Sequence, residues 1–362
     1  MQKKRKNIRI GYVNLLKKSH ISSIEINNNF LNLLNRYADV KIVSLAQYKE
    51  IKKFFKEIEK YNFDYFFVDT FTYLLSSFLL RERLGLDIPF ILPLHTIYPW
   101  VHNYVYVIPL IREYDIIYAP SQYAKEAFLK ISDKLNIHMF PYCLDIQSIR
   151  NAIRHDSKKE NKIITFMGRL TKQKGIETLI QCLPEIVEHT SKVRLQIIGP
   201  LSGSGLKDEP LSPYVKKLKR EIKKLGLNNK VTFRGAQFGS RKYSLLSVSD
   251  VFVTPTVAPE ETFQIVNIEA LACGIPVITT KWAGITEVVT AGKNGYLLDI
   301  YNDRKGCPKV NQQQLASLII KLLKNDDLTR LLKKNAVRTA LTYDYHKVLP
   351  PFLTLLKKRT MQ

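Results

Sequence analysis

The chain has 362 residues, 45% of them hydrophobic, with 56 Lys and Arg against 32 Asp and Glu and a formal net charge of +24. That length suggests two domains with real cores, and the charge favours an anionic partner: a phosphorylated substrate, an acidic membrane surface or nucleic acid. Four scattered cysteines with no C-x-x-C pair speak for reduced thiols in a cytosolic protein, no histidine cluster or D-x-D suggests a metal, and neither a signal peptide nor a spanning helix is expected.

Residues 7–14 (NIRIGYVN) read as a first strand, followed by a helix that starts near Ser22 or Ser23. A second strand spans 40–45. Residues 48–61 form a Lys-rich amphipathic helix with Ile51, Phe54, Phe55 and Ile58 on one side. Further strands are expected at 63–68, at 89–94, which ends at His95, at 115–119 and at 136–140. Ser121 can cap a helix from Gln122 onward. Strands alternating with helices in this way argue a parallel α/β sheet.

The polar stretch 145–161 ends in the interdomain linker. A second series follows, with a strand at 162–167, a helix at 175–189, a strand at 194–198, a basic helix at 214–225 and a strand at 231–234. A strand at 296–298 and helices from 312 to the end close the chain. Thirteen of the fifteen glycines lie between Gly168 and Gly306. Glycine lets backbone approach a phosphate closely, so a nucleotide site is expected in the second half.

Residues 250–287 (DVFVTPTVAPEETFQIVNIEALACGIPVITTKWAGITE) carry the strongest pattern. Val251 to Val253 suit a buried strand. Pro255, Pro259 and Glu260–Glu261 break it into a loop. Thr262 reads as an N-cap, with Phe263, Val266, Ala270 and Cys273 at helical spacing, and Gly274 and Pro276 end the helix. Glu261 and Glu269 frame the helix start, roughly 80° apart at ~100° per residue, so both can face one crevice. Between them the N–H groups of Phe263, Gln264 and Ile265 can bind an anion. Carboxylates suit vicinal hydroxyls and N–H groups suit phosphate, a combination that fits a nucleotide sugar. The bland reading makes Glu261 a dipole partner and Glu269 a solvated helix residue. A second loop, 166–175 (FMGRLTKQKG), places Arg169 and Lys174 where they can neutralise a diphosphate, or where they are simply solvated loop charges.

GRLTKQKG, IIGPLSGSG, VTFRGAQF, EETFQIVNIEALACGIPVITT, AGITEVV and GKNGYLL occur in that order. With them the chain resembles the family 4 glycosyltransferases of GT-B fold, specifically over 162–298 and more weakly in DIIYAPSQYAKEAF and MFPYCLDIQSI. The resemblance implies two Rossmann-like domains facing each other across a cleft. An acceptor domain would span 1–157 and a nucleotide-sugar domain 158–340, with a helix in 341–362 crossing back to the first domain and kinked by Pro350–Pro351. It implies a retaining, metal-independent transferase without a cofactor, moving a sugar from a UDP- or GDP-sugar to a glycan, lipid-linked or small-molecule acceptor. Glu261 would hold donor-sugar hydroxyls and Glu269 the ribose. Arg169 and Lys174 would bind the diphosphate, helped by the backbone of Phe263, Gln264, Ile265 and Val266. Gly235 and Gln237 would border the base, and His95 would reach the transferring sugar or its phosphate.

Two departures stand out. Ser22 and Ser23 replace a usual Gly-Gly, and Gln264 replaces a small residue near the donor sugar. The basic helix and the Lys17–Lys18 loop make a peripheral site on the inner face of a membrane plausible for a cytoplasmic protein. The rival readings are a non-catalytic GT-B binding protein, an epimerase or a phosphorylase. No nucleic-acid motif accompanies the charge.

Overall fold

The computed structural model describes residues 8–14, 29–44, 47, 50–68, 78–79, 81–83, 85, 87–95, 108–153, 160–202, 210–259 and 261–359. The chain divides into two units, residues 1–144 with 345–362 and residues 145–344. The expected boundaries at 157 and 340 fall inside the second unit.

In the first unit, β1 (Arg9–Asn14), β2 (Asp39–Ser44), β3 (Tyr65–Val68), β4 (Phe90–Pro93), β5 (Ile116–Ala119) and β6 (Ile137–Met139) form one parallel sheet in the order β2-β1-β3-β4-β5-β6. Helices α1 (Ile51–Lys60) and α2 (Gln122–Leu129) belong to it, and Ser121 caps α2 by accepting from the Ala124 N–H. Strand side chains alternate between faces. Phe66, Phe90, Leu92 and Ile117 share one core with Phe54 of α1 and Phe128 of α2. Tyr65, Phe67, Ile91 and Tyr118 face the other core.

The second unit opens with α3 (Ile146–Asn151), where the sequence suggested only polar chain. Asp145 caps it by accepting from the Ser148 N–H, and Ile146 and Ile149 are its buried residues. Then come β7 (Lys162–Met167), α4 (Ile176–His189), β8 (Val193–Ile198), α5 (Pro213–Lys224), β9 (Val231–Gly235), α6 (Gly239–Ser247), β10 (Val251–Thr254), α7 (Ile265–Ala272), β11 (Val277–Thr280) and β12 (Gly295–Leu298). A small antiparallel hairpin, β13 (Ile300–Asn302) and β14 (Pro308–Val310), precedes α8 (Gln312–Lys324) and α9 (Asp326–Ala340). The sheet order is β12-β11-β10-β7-β8-β9, all parallel. Thus β7 and β10 are neighbours although β8 and β9 intervene in the chain. A doubly wound sheet of this kind opens a crevice at the carboxyl ends of the two strands where the order reverses. These two parallel-sheet units are the Rossmann-like α/β architecture expected from the sequence.

The last helix, α10 (Tyr345–Arg359), returns to the first unit. Leu349, Phe352 and Leu356 fill the second core there, and Tyr65 Oη donates to the Leu356 carbonyl at 2.6 Å. The helix runs through Pro350 and Pro351, which deprive two preceding carbonyls of helical donors. Its burial against Phe30, Tyr118 and Phe140 offsets that loss.

One device recurs in both sheets. Asp64, just before β3, accepts from the Arg9 N–H of β1 at 2.7 Å. Asp115, before β5, accepts from the Phe90 N–H of β4 at 2.7 Å, and Asp250, before β10, from the Ile163 N–H of β7 at 2.7 Å. A carboxylate ahead of an apolar strand thus occupies a donor near the start of a neighbouring strand and fixes the pairing. Among the described residues no helix is long and apolar enough to cross a membrane.

Candidate functional site

The loops that leave β7 and β10 are bound to each other. The Gln173 carbonyl accepts from the Val257 N–H at 2.8 Å and from Thr256 Oγ1 at 3.2 Å. Gly175 has φ 71°, and a Cβ there would lie 1.9 Å from the Pro255 carbonyl oxygen. Gly199, after β8, sits so close that a Cβ would lie 2.0 Å from the Gly168 carbonyl oxygen. Both glycines let backbone meet backbone, a use that the phosphate argument from glycine distribution did not foresee.

This joint sets Lys174 beside Glu261. The two side chains form an ion pair, each 11% exposed. The sequence treated them as parts of separate subsites, yet the fold puts them in contact across 87 residues of chain. Arg169 lies half-buried in the same loop as Lys174.

Helix α7 begins at Ile265, and its N-cap is Gln264 at φ 62°, ψ 72°, with no side-chain capping bond. This corrects the expected start at Phe263 with Thr262 as cap. The amphipathic reading failed because α7 is buried nearly all round, with Asn267 to Ala272 inside. Phe263 is instead a core residue whose ring meets Tyr343 edge-on at 5.6 Å. The first-turn N–H groups that helix geometry leaves for an anion are therefore those of Ile265 and Val266. Glu261 precedes the helix altogether, so the 80° argument does not describe its relation to Glu269.

Glu269 is not a solvated residue. It is 4% exposed, and its Oε1 accepts from Lys242 Nζ at 2.7 Å and Tyr243 Oη at 3.2 Å, both on α6. Sequence reasoning missed both partners, since no local spacing links α6 to α7. Gly235 ends β9 at the sheet edge, its carbonyl accepting from the Gly199 N–H at 3.0 Å. The Gln237 amide turns back onto the Arg234 carbonyl at 2.6 Å.

In the first unit, His95 follows β4. Its Nδ1 is 2.8 Å from Tyr142 Oη, and its ring stacks on Tyr142 at 5.1 Å and meets Tyr118 edge-on. Burial lowers its pKa to about 3, so the ring is neutral near pH 7. Ser22 and Ser23 lie outside the described residues.

Removing one member of a buried ion pair strands the other charge. Lys242→Ala should therefore cost about 3–5 kcal/mol of unfolding free energy. Urea denaturation measures it, and a loss below about 1 kcal/mol would mean that Glu269 does not depend on Lys242.

The model of the family described as "Glycosyl transferases group 1" matches residues 148–339, just over half of the chain. Among curated relatives, spore coat protein SA of Bacillus subtilis is 33% identical over 200 residues, covering 54% of this chain and 49% of that protein. The D-inositol 3-phosphate glycosyltransferase of Segniliparus rotundus is 27% identical over 194 residues, covering 52% and 40%. The chain thus spans about half the length of these relatives or less. Anabaena Alr3699/HepE, solved in complex with UDP and glucose, superposes with a TM-score of 0.76 at 20% identity, covering 97% of this chain and 100% of that one. That likeness extends the GT-B fold over both units, and the family match lies on the unit that holds Arg169, Lys174, Glu261 and Glu269. The chain belongs to the glycosyl transferases group 1 family.

Proposed function

We propose that this chain is a glycosyltransferase that moves a sugar from a nucleotide-sugar donor, linked through UDP or GDP, to a glycan, lipid-linked or small-molecule acceptor. The second unit would take the donor and the first would shape the acceptor site. The observation that carries this reading is the Lys174–Glu261 pair at the crevice between β7 and β10, with Arg169 in the same loop and the N-terminus of α7 behind it. The UDP and glucose held by the similar Anabaena protein support it.

The proposed chemistry is metal-independent and retains the anomeric configuration. Charge builds on the departing diphosphate, where Arg169, Lys174 and the N–H groups of Ile265 and Val266 would stabilise it. Lys174 would exchange one anion for another as phosphate enters, which releases Glu261 to accept from donor-sugar hydroxyls. Glu269, with Oε1 held by Lys242, would turn its other oxygen to the ribose. Gly235 and Gln237 would border the base. His95 would serve as a neutral hydrogen-bonding group toward the transferring sugar, since protonating it is costly. Ser22 and Ser23 would donate to the sugar or phosphate.

The proposed location is the cytoplasm, consistent with four free cysteines. Attachment to an anionic membrane surface would use α5. That helix buries Val215, Leu218 and Ile222 and exposes Lys216, Lys217, Lys219, Arg220, Lys223 and Lys224. Pelleting with vesicles should rise with their phosphatidylserine content and fall with salt. Pelleting that ignores lipid charge, or none at all, would sink this attachment.

A thermal-shift panel of UDP-, GDP-, ADP-, CMP- and dTDP-sugars tests the function, because a ligand of the folded state raises the melting temperature. One UDP- or GDP-sugar should shift the wild-type chain. Titration calorimetry with that donor should show Lys174→Ala binding about tenfold to a hundredfold more weakly. Equal affinity in wild type and Lys174→Ala would refute the assignment.

A further inference from the structure

We propose that Gln264 is a positioning residue for the donor diphosphate, acting through the turn that opens α7; this rests on the donor-site reading above. Gln264 holds φ 62°, and Ala283 is the other non-glycine residue with positive φ among the described residues. A left-handed conformation strains any residue with a Cβ, so something must hold Gln264 there. Glycine would take the same turn without strain.

What holds it is the carboxamide. Gln264 Oε1 accepts from Asn267 Nδ2 at 2.7 Å and lies 3.3 Å from the hydroxyls of both Thr254 and Thr279. Those hydroxyls have one proton each. Thr279 Oγ1 donates to the Thr254 carbonyl at 3.0 Å, and Thr254 Oγ1 donates to Asn267 Oδ1 at 2.9 Å. With both protons committed, the Asn267 amide is the donor that fixes Gln264. Thr254, Asn267 and Thr279 are each 1% exposed or less, so the half-buried Gln264 is anchored to groups shut off from water. It ties the ends of β10 and β11 to the residue directly before Ile265 and Val266.

The side chain that the sequence placed near the donor sugar is therefore turned inward. A joint that glycine would leave flexible becomes a fixed one. The N–H groups of the first turn of α7 are aimed before any ligand arrives. Preorganised donors cost no reordering when the anion binds.

The test measures UDP, GDP and ADP binding by titration calorimetry, with melting temperature alongside, in wild type, Gln264→Gly, Asn267→Ser and the double variant. Gln264→Gly should melt close to wild type yet bind the preferred diphosphate about tenfold more weakly. The double variant should bind no more weakly than Gln264→Gly, because both changes cut one tether. Wild-type affinity in Gln264→Gly, or losses that multiply in the double variant, would overturn the proposal. A lowered melting temperature with unchanged affinity would reduce Gln264 to a purely structural role and overturn it too. Failure of the wild-type chain to bind any of the three diphosphates would overturn the donor-site reading and this inference with it.

Discussion

The contact between Gly175 and the Pro255 carbonyl oxygen is the constraint on which the site depends. With a Cβ there 1.9 Å from that oxygen, only glycine lets the loop after β7 lie against the loop after β10. Gln173 then supplies one carbonyl to two donors of the second loop, the Val257 N–H and the Thr256 hydroxyl. Lys174 and Glu261 meet because their backbones are held together first. The charged pair is a consequence of a close backbone approach, and a single methyl group at position 175 would undo it.

Around that joint the second unit keeps its polar groups in closed sets. Glu269 Oε1 is satisfied by Lys242 and Tyr243. Thr254, Asn267, Thr279 and Gln264 satisfy one another. Buried polar clusters are stabilising only when such accounts close, and a closed account allows one arrangement of the atoms. The same economy governs the strands. Asp64, Asp115 and Asp250 each satisfy an N–H near the start of a neighbouring strand.

Much of this was legible in the residues. The apolar runs marked the strands of both sheets, and the ordered loops from GRLTKQKG onward pointed to the family. The failures have physical causes. Periodicity misplaced the start of α7 because a helix buried on every side has no polar face to mark it. The solvated alternative for Glu269 failed because its partners, Lys242 and Tyr243, come from an unexpected helix. Residues 145–151 read only as polar chain because their polar side chains outnumber the two isoleucines that anchor α3. The inward turn of Gln264 leaves no trace in local composition, since it depends on two threonines from neighbouring strands.

In the proposed function, the crevice between β7 and β10 takes the diphosphate of the donor. A crystal structure of the chain with its preferred nucleoside diphosphate tests it most directly. Phosphate oxygens should lie within hydrogen-bonding distance of Lys174 Nζ, the Arg169 guanidinium and the N–H groups of Ile265 and Val266, with Lys174 drawn off Glu261. A diphosphate seated elsewhere, such as on the basic face of α5, with the Lys174–Glu261 pair intact, would contradict it.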